Sequence, residues 1–167
     1  GGQPTQSNFE NILTLDSLNH KYEKLILEDE SRTIGRAGLP GFWYQKMQSS
    51  MLVILEVADD KRAENIYYEY VYDEINNGNS EDKLLEKYLG SLNNIKRRLG
   101  NVVYNNIKDL MKSAFRQNEK EIHKEWILTL LTSYYDKMYS YKLDMRKDFI
   151  VHKGEIESCR DYINAIL

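Results

Sequence analysis

The sequence predicts a mixed α/β fold in which helices flank a largely parallel sheet and the C-terminal half is rich in helix. Two short apolar runs carry the sheet part of this prediction: Leu25–Glu28, apolar up to its final acid, and Met51–Val57. Short runs without polar alternation are typical of strands covered on both faces, as in a parallel sheet. From Leu84 onward, apolar residues recur every three or four positions, which is typical of amphipathic helices.

Length and composition fit a globular protein of one domain. The chain has 167 residues, 41% of them hydrophobic and 29% charged, and its net charge is −3. That charge excludes nucleic-acid binding through the whole surface but allows a local basic patch. No apolar run approaches the ~20 residues that span a bilayer, so we expect a cytoplasmic protein that does not enter a membrane. Cys159 is the single cysteine, which excludes a disulfide framework and a cysteine zinc site.

The first part of the domain, residues 1–75, holds the two predicted strands. Ser7 and Glu10 fit a capping box, so a short helix is expected to begin there. Glycines and a proline after the first strand predict a loop, and a short helix follows over residues 42–48. An aspartate at position 59 or 60 is expected to cap the helix after the second strand.

The second part, residues 76–138, is predicted to be helical. Ser80 is expected to cap a helix that Gly100 ends. Apolar residues at helical spacing predict two further helices, over residues 103–115 and 122–138.

The third part, residues 139–167, is predicted to close the domain with strand and helix. Apolar and polar residues alternate strictly over Tyr139–Met145, which predicts a strand with one face in water. Phe149–His152 is expected to form another short strand, and residues 155–167 a helix with Cys159 packed in the core.

Acidic residues directly follow the first predicted strand. Glu28, Asp29 and Glu30 would lie at the carboxyl edge of the sheet, where open α/β folds bind ligands. In nucleotide-handling proteins an acid at this position helps to hold Mg²⁺ near phosphates. Arg32 and Arg36 follow, and their guanidinium groups could bind phosphate oxygens. The alternative is that the acids only face solvent and the arginines pair with them.

Two other basic sites allow a functional and a structural interpretation. Arg62 in a first helical turn opposes the helix dipole, so it either binds an anion or pairs with a nearby carboxylate such as Asp59. Lys96, Arg97 and Arg98 complement the dipole of a last turn, but they also form the densest basic patch of the chain.

Other residue types give weaker signals. Thirteen tyrosines stand against four phenylalanines and two tryptophans, and tyrosine suits both half-buried helix faces and stacking on bases. The histidines show no metal-ligand spacing, and the sequence has no GxxxxGKS or GxxxxGKT phosphate loop. The residues alone therefore predict an α/β domain with an acidic strand end.

Several separated motifs nevertheless resemble the tRNA 2-selenouridine synthase family. They occur in the family's order over nearly the whole chain, and they read GGQPTQSNFEN, ILEDESRTIG followed by LP, KRAENIYYEYV, IKRRLG and YYDKMYSYKL. The resemblance implies a fold like that of P-loop NTPases and an enzyme that replaces the sulfur of wobble 2-thiouridine in tRNA with selenium. It further implies an S-geranylated intermediate made from geranyl diphosphate, with Mg²⁺ near the diphosphate, and selenophosphate as selenium donor.

In this family a rhodanese-like domain precedes the P-loop domain. The resemblance implies that this chain is the later part of the P-loop domain. Neither the rhodanese-like domain nor the phosphate loop and its strand is present, so we expect a fragment or a fold completed by another chain. By resemblance, Glu28 would be the acid near the metal, Arg32 and Arg62 anion contacts, and residues 96–98 a lid or tRNA-facing segment. Because Glu28, Arg32 and Arg62 each follow the end of a predicted strand, we also expect them to meet in one cleft at the carboxyl edge of the sheet. Two alternatives stay open, namely a nucleotide-kinase-like ATP-binding domain and a non-catalytic helical module that binds tRNA or a partner.

Overall fold

A computed structural model describes residues 3–20, 23–29 and 31–167, and the chain divides into two compact units. Gly1–Leu55 and Asp148–Leu167 make up one of them, which we call the sheet unit. Glu56–Lys147 make up the other, which we call the helical unit. The fold is mixed α/β and rich in helix, as the sequence predicts.

The sheet unit combines short strands with three helices. In chain order its elements are α1 (Gln6–Asn19), β1 (Thr33–Ile34), β2 (Ala37–Gly38), α2 (Gly41–Gln48), β3 (Leu52–Leu55), β4 (Ile150–Gly154) and α9 (Ile156–Ile166). β1 and β2 form an antiparallel hairpin, whereas β3 and β4 pair in parallel. The second predicted strand, the strand near Phe149 and the closing helix are therefore confirmed.

Helix α9 packs on the parallel pair through its cysteine. Leu52 pairs with Ile150, and the register shifts by one residue before Val53 pairs with His152. Cys159 is buried, and its Sγ donates to the carbonyl of Ile54 on β3, 3.4 Å away. The prediction that Cys159 packs in the core is confirmed.

The hairpin is clamped by the side chains of two glutamines near the N-terminus. Gln6 donates to the Gly38 carbonyl at 2.9 Å and accepts from the Gly38 amide at 2.8 Å, much as a strand partner would. Gln3 donates to the Ile34 carbonyl and accepts from the amide of Arg36 at 2.9 Å. The turn between the strands needs Gly35, because its φ of 62° is strained for residues with a Cβ. These bonds fasten the start of α1 to the turn.

The cap of α1 differs from the prediction. Thr5 is the N-cap, and its Oγ1 accepts from the amide of Asn8 at 3.3 Å. The helix therefore starts two residues earlier than a cap at Ser7 would allow. Thr5 and Ser7 both carry a hydroxyl group that can cap a helix, so the residue types alone did not distinguish them. The glutamine clamp, which fastens the start of α1 to the hairpin turn, was not visible in the sequence.

The helical unit consists of long helices, two of which pass through π-helical turns. Its elements are α3 (Asp59–Tyr67), π1 (Tyr68–Tyr72), α4 (Asp73–Asn76), α5 (Glu81–Leu99), α6 (Asn101–Gln117), α7 (Lys120–Leu130), π2 (Leu131–Tyr135) and α8 (Asp136–Met145). Ser80 caps α5 by accepting from the amide of Lys83, and Gly100 ends it with a φ of 79°, both as predicted. A left-handed Asn118 separates α6 from α7.

One hydrophobic core holds the helical unit together. Its most buried members come from α3, π1, α5, α6 and α7 and include Ala63, Val71, Leu84, Leu92, Ile107, Met111, Ala114 and Ile127. Ion pairs at the rim fix α3 on α7, since Lys120 Nζ lies 2.6 Å from Glu64 Oε1 and Lys124 Nζ 2.6 Å from Asp60 Oδ1. The apolar residues predicted at helical spacing thus face one common interior.

The structure overturns the first predicted strand. Residues 24–29 are extended but pair with no strand within the part of the chain that is described. Leu25, Ile26 and Leu27 are each about half exposed. An apolar run becomes a strand only where a neighbour can take its backbone hydrogen bonds, so the composition of this run was not sufficient evidence. The prediction that it shares a sheet with β3 is therefore wrong for this structure.

The predicted strand over Tyr139–Met145 is also wrong, because these residues lie in α8. The chain runs from α7 through π2 into α8 with no glycine or proline that could end the helix. On a helix the alternating apolar residues point in different directions, and Tyr139, Tyr141 and Met145 are exposed. The period-two pattern came from exposed side chains of a helix and did not reflect a buried face.

Candidate functional site

The predicted anion site of the sheet unit is an exposed surface around the hairpin. Glu28 and Asp29 lie in the extended segment before it, and Glu30 falls outside the described residues. Arg32 directly precedes β1, and its carbonyl accepts from the amide of Leu39 at 2.7 Å. Arg36 lies in the hairpin turn, and its side chain is exposed to solvent. The hairpin thus holds the backbone of two cationic residues beside an acidic segment.

Glu28 and Asp29 can contribute to a metal site only if other groups, such as phosphates and waters, complete the coordination of the metal. Within residues 3–20, 23–29 and 31–167, no three histidine, cysteine or acidic side chains gather into a group that could hold a metal ion. Mg²⁺ often needs just one or two carboxylates, however, when phosphates and waters complete its octahedron. Exposed Glu28 and Asp29 could supply those carboxylates to a metal that arrives with a diphosphate.

Arg62 is engaged by two carboxylates of the helical unit. Its Nη2 lies 2.5 Å from Asp136 Oδ1 and its Nη1 3.2 Å from Asp136 Oδ2, so the contact is bidentate. Asp59 accepts a further bond from Nη1 at 3.0 Å. The hydrogen bond to Asp136 is the largest cause that raises the pKa of Arg62, while desolvation opposes it. The structural interpretation of Arg62 therefore holds, and an anion would have to displace these carboxylates.

The predicted meeting of Glu28, Arg32 and Arg62 in one cleft stays a prediction. Glu28 and Arg32 belong to the sheet unit and Arg62 to the helical unit. No local sequence pattern identifies Asp136 as the partner of Arg62, because the two residues are 74 positions apart.

The basic segment 96–98 spreads its side chains around the end of α5. Lys96 Nζ lies 4.8 Å from the ring centroid of Tyr104 on α6. Arg98 donates from Nη1 to the hydroxyl of Tyr134 on π2, 2.9 Å away. Arg97 makes no hydrogen bond or ion pair with the residues that the structure describes. Successive helical residues point about 100° apart, so Lys96 lies over the ring of Tyr104 and Arg98 bonds the hydroxyl of Tyr134, while Arg97 extends into solvent.

A shallow polar depression adjoins this segment at the junction of α5 and α6. Its volume is about 490 Å³, and it is lined by Asn93, Asn94, Lys96, Arg97, Gly100 and Asn101. Amide side chains hydrogen-bond base edges and sugars, and cations bind phosphates. The depression therefore offers amides for bases and sugars and cations for phosphates. Of these residues, only the basic ones were identified from the sequence as candidate functional residues.

A buried histidine of the helical unit is structural. His123 is 2% exposed, and its Nδ1 accepts from Trp126 Nε1 at 3.2 Å. Its ring packs edge-on against Phe115, with centroids 4.7 Å apart. Burial lowers the pKa of His123 to about 4, so the ring is neutral at physiological pH. A neutral ring enclosed by aromatic side chains is poorly placed to act on a substrate.

A small parallel sheet combined with a larger helical unit defines a mixed α/β protein with an exposed basic and polar surface. A family model described as the tRNA 2-selenouridine synthase AAA domain matches residues 1–166. The chain therefore belongs to this family, which confirms the resemblance of its motifs. No solved structure matches the chain.

Curated relatives support the same assignment. Proteins named tRNA 2-selenouridine synthase from Shewanella woodyi, Hahella chejuensis and Aeromonas salmonicida are 34%, 35% and 37% identical to the chain. The alignments cover 98%, 96% and 97% of the chain but 48%, 46% and 47% of the relatives. The chain thus spans about half the length of the relatives it matches. Among the described residues, no helix has the length and apolar character needed to cross a bilayer.

Proposed function

We propose that this chain is part of a transferase that converts wobble 2-thiouridine of tRNA to 2-selenouridine. The family match over residues 1–166 carries this proposal, because the matching relatives are named for that product. The proposed route passes through an S-geranylated uridine, with geranyl diphosphate as the first co-substrate and selenophosphate as the selenium donor. The enzyme is expected to act in the cytoplasm, where tRNA is available, and the remaining half of its length would supply the selenium step.

The sheet unit would bind the diphosphate and stabilise its charge as it leaves. When the uridine sulfur attacks the first carbon of the geranyl group, a carbon–sulfur bond forms and the carbon–oxygen bond breaks. The diphosphate takes the electron pair of the broken bond, and the N3 proton of the uridine passes to water. Cations near that oxygen lower the barrier by stabilising the charge as it develops. Arg32 and Arg36 are suited to this task because one precedes the hairpin and the other lies in its turn, and the glutamine clamp fixes the backbone of this hairpin. Mg²⁺ held by Glu28 and Asp29 would neutralise further diphosphate charge.

The end of α5 would bind the tRNA. Arg97 is exposed and makes no ion pair with the described residues, so its charge is available to a phosphate. Lys96 shares the polar depression with Arg97, and the asparagines beside them can contact sugars or bases. A net charge of −3 means that such a patch, and not the overall surface, must attract the RNA.

The decisive experiment uses the full-length protein with tRNA that carries 2-thiouridine. Digested nucleosides analysed by mass spectrometry should contain geranylated thiouridine when geranyl diphosphate is present, and selenouridine after selenophosphate is added. No change in nucleoside mass with either co-substrate would refute the transferase proposal. Transfer of a phosphate from ATP to a small acceptor would instead favour the nucleotide-kinase alternative.

The roles of the two basic regions can be separated by titrating both ligands. Arg97→Ala should weaken tRNA binding and flatten its salt dependence by about 0.7 per lost phosphate contact, with geranyl diphosphate binding unchanged. Arg32→Ala should weaken geranyl diphosphate binding and leave tRNA binding unchanged. Lys83→Ala is a matched control, because Lys83 is an exposed cation at the other end of the same helix. If Arg97→Ala weakens geranyl diphosphate binding first, the segment is a lid over the diphosphate.

A further inference from the structure

Four tyrosines of the helical unit lie near one another, with Tyr70 and Tyr139 exposed and Tyr134 and Tyr135 partly buried. Tyr70 lies in π1, Tyr134 and Tyr135 in π2, and Tyr139 in the first turn of α8; we call this group the tyrosine face. The rings of Tyr134 and Tyr135 meet edge to face with centroids 5.0 Å apart. Burial raises the pKa of Tyr135, and the nearby hydroxyls of Tyr134, Tyr139 and Tyr70 raise it further.

The two π-helical turns are what place these rings. A π-helical turn takes one more residue than an α-helical turn, and such turns are frequent at functional sites. In π1, Tyr68 and Tyr72 contact each other with centroids 5.4 Å apart, whereas Tyr70 lies on another side of the turn. The carbonyl of Tyr70 accepts from the hydroxyl of Tyr88 on α5, which fixes its backbone. Tyr70 remains 49% exposed.

Cations border the tyrosine face. Arg98 donates to the hydroxyl of Tyr134, and Lys142 Nζ lies 5.7 Å from the ring centroid of Tyr139. Arg98 connects the face to the basic segment at the end of α5, where Arg97 and Lys96 line the polar depression. Asp136, the acid that immediately follows π2, is neutralised by its bidentate contact with Arg62. The surface therefore combines exposed rings with two cations, Arg98 and Lys142, that form no ion pair with the residues the structure describes.

We propose that the tyrosine face binds unpaired RNA bases by stacking, while the adjoining cations hold the phosphates between them. This inference rests on the proposed function, since it assigns to tRNA binding a second surface beyond the end of α5. Proteins that bind single-stranded nucleic acid combine a positive groove with exposed aromatic rings in this way. The wobble base lies in the anticodon loop, where bases are unpaired and available for stacking.

The chemistry of the face favours bases over a prenyl chain. A geranyl chain would need a concave apolar pocket that removes it from water. Tyr70 and Tyr139 instead expose about half of their surface, and a cation, Lys142, lies 5.7 Å from the ring centroid of Tyr139. Rings of this kind suit flat, polar-edged ligands whose faces stack and whose edges remain hydrated.

The test compares tyrosines of equal exposure in the full-length protein. Tyr70→Ala and Tyr139→Ala should each weaken binding of a thiouridine anticodon stem-loop about tenfold or more, because one stacked base contributes ~1–3 kcal/mol. Tyr72→Ala is the matched control, since Tyr72 is 47% exposed and belongs to the same π-helical turn but not to the face. Tyr139→Phe should bind like the unchanged protein because the ring is kept.

Salt dependence separates stacking from charge. Loss of a ring should lower the affinity at every salt concentration and leave the slope unchanged, whereas Arg97→Ala should change the slope. Equal affinity of the Tyr70, Tyr139 and Tyr72 variants would overturn the inference while leaving tRNA modification intact. Failure of the unchanged protein to bind tRNA would overturn both this inference and the proposed function. Loss of geranyl diphosphate binding alone, or a changed oligomeric state with RNA affinity unchanged, would assign the face to another occupant and also refute the inference.

A second measurement needs no substitution. Stem-loop RNA with 5-iodouridine in the loop crosslinks to aromatic residues that stack on it when it is irradiated. We expect the crosslinked peptide to contain residues 134–139 or Tyr70 in the unchanged protein. A crosslink confined to the sheet unit would contradict the inference even if every tyrosine variant failed to fold.

Discussion

The two units of the molecule use apolar residues in different ways. In the helical unit, Ile107 and Ile127 are almost completely buried, and α3, α5, α6 and α7 all contribute to one core. In the sheet unit, Leu25, Ile26 and Leu27 are about half exposed, and few residues are buried besides Ala37, Leu52 and Cys159. The comparison teaches that helices with complementary apolar faces complete a core by themselves, whereas an apolar extended segment stays exposed until another surface covers it.

Core truncation should give the largest difference between the units. Ile107→Ala removes a side chain with 0% exposure, so it should lower the free energy of unfolding by about 2–5 kcal/mol. Ile26→Ala in the sheet unit should change it by less than about 0.5 kcal/mol, because Ile26 is 59% exposed. Urea denaturation of both variants measures the contrast. Similar losses in the two would mean that Ile26 is covered in solution.

Acid should weaken the helical unit through its buried histidine. His123 has a pKa of about 4 in the folded protein and about 6.5 when unfolded. Below pH 6.5 the unfolded state binds the extra proton, so stability falls as pH decreases toward 4, by about 3 kcal/mol in total. Denaturation midpoints measured across this range should show the loss. His123→Gln keeps an acceptor for Trp126 and should remove this pH dependence; an unchanged profile would contradict the assignment.

The pair between Arg62 and Asp136 should contribute less, because both side chains are about one-third exposed. A double-mutant cycle with Arg62→Ala and Asp136→Ala should give a coupling energy of about 1 kcal/mol. Additive losses would show that the pair does not stabilise the unit. If Arg62→Ala also abolishes geranyl diphosphate binding while Asp136→Ala does not, Arg62 has the anion-binding role that its position in the sequence suggested.

The glutamine clamp should give the smallest effect. Gln6→Ala removes two hydrogen bonds to exposed backbone groups of Gly38, so the free energy of unfolding should fall by about 0.5–1.5 kcal/mol. Hydrogen exchange at the amide of Gly38 should accelerate in this variant. Gln48→Ala is a control on the surface of α2. Unchanged exchange at Gly38 would mean that pairing with β1 suffices to hold the hairpin.

Sequence reasoning succeeded where the signal is local. The periodicity and caps of α5 and the existence of strand β3 and helix α9 depend on neighbouring residues, and these predictions are confirmed. It failed for residues 24–29, because strand formation depends on a distant partner. It failed again for residues 139–145, because chance alternation in a surface helix imitates a strand.

The candidate site was harder to predict than the fold, for related reasons. The basic segment 96–98 was visible as a cluster in the sequence, but its contacts with Tyr104 and Tyr134 join residues far apart in the chain. The tyrosine face also depends on π1 and π2, which shift the helical register. A period of 3.6 residues, on which helix prediction relies, cannot describe such a shift.

The parallel pairing of β3 with β4 has a consequence for the order in which the chain folds. Leu52 meets Ile150 only after the chain has closed a loop of roughly 100 residues, and such closure carries a large entropy cost. The helical unit lies entirely within that loop, so its collapse shortens the effective distance to be closed. The strand pair therefore forms late, and on a ribosome the helical unit can fold before the last strand has been synthesised.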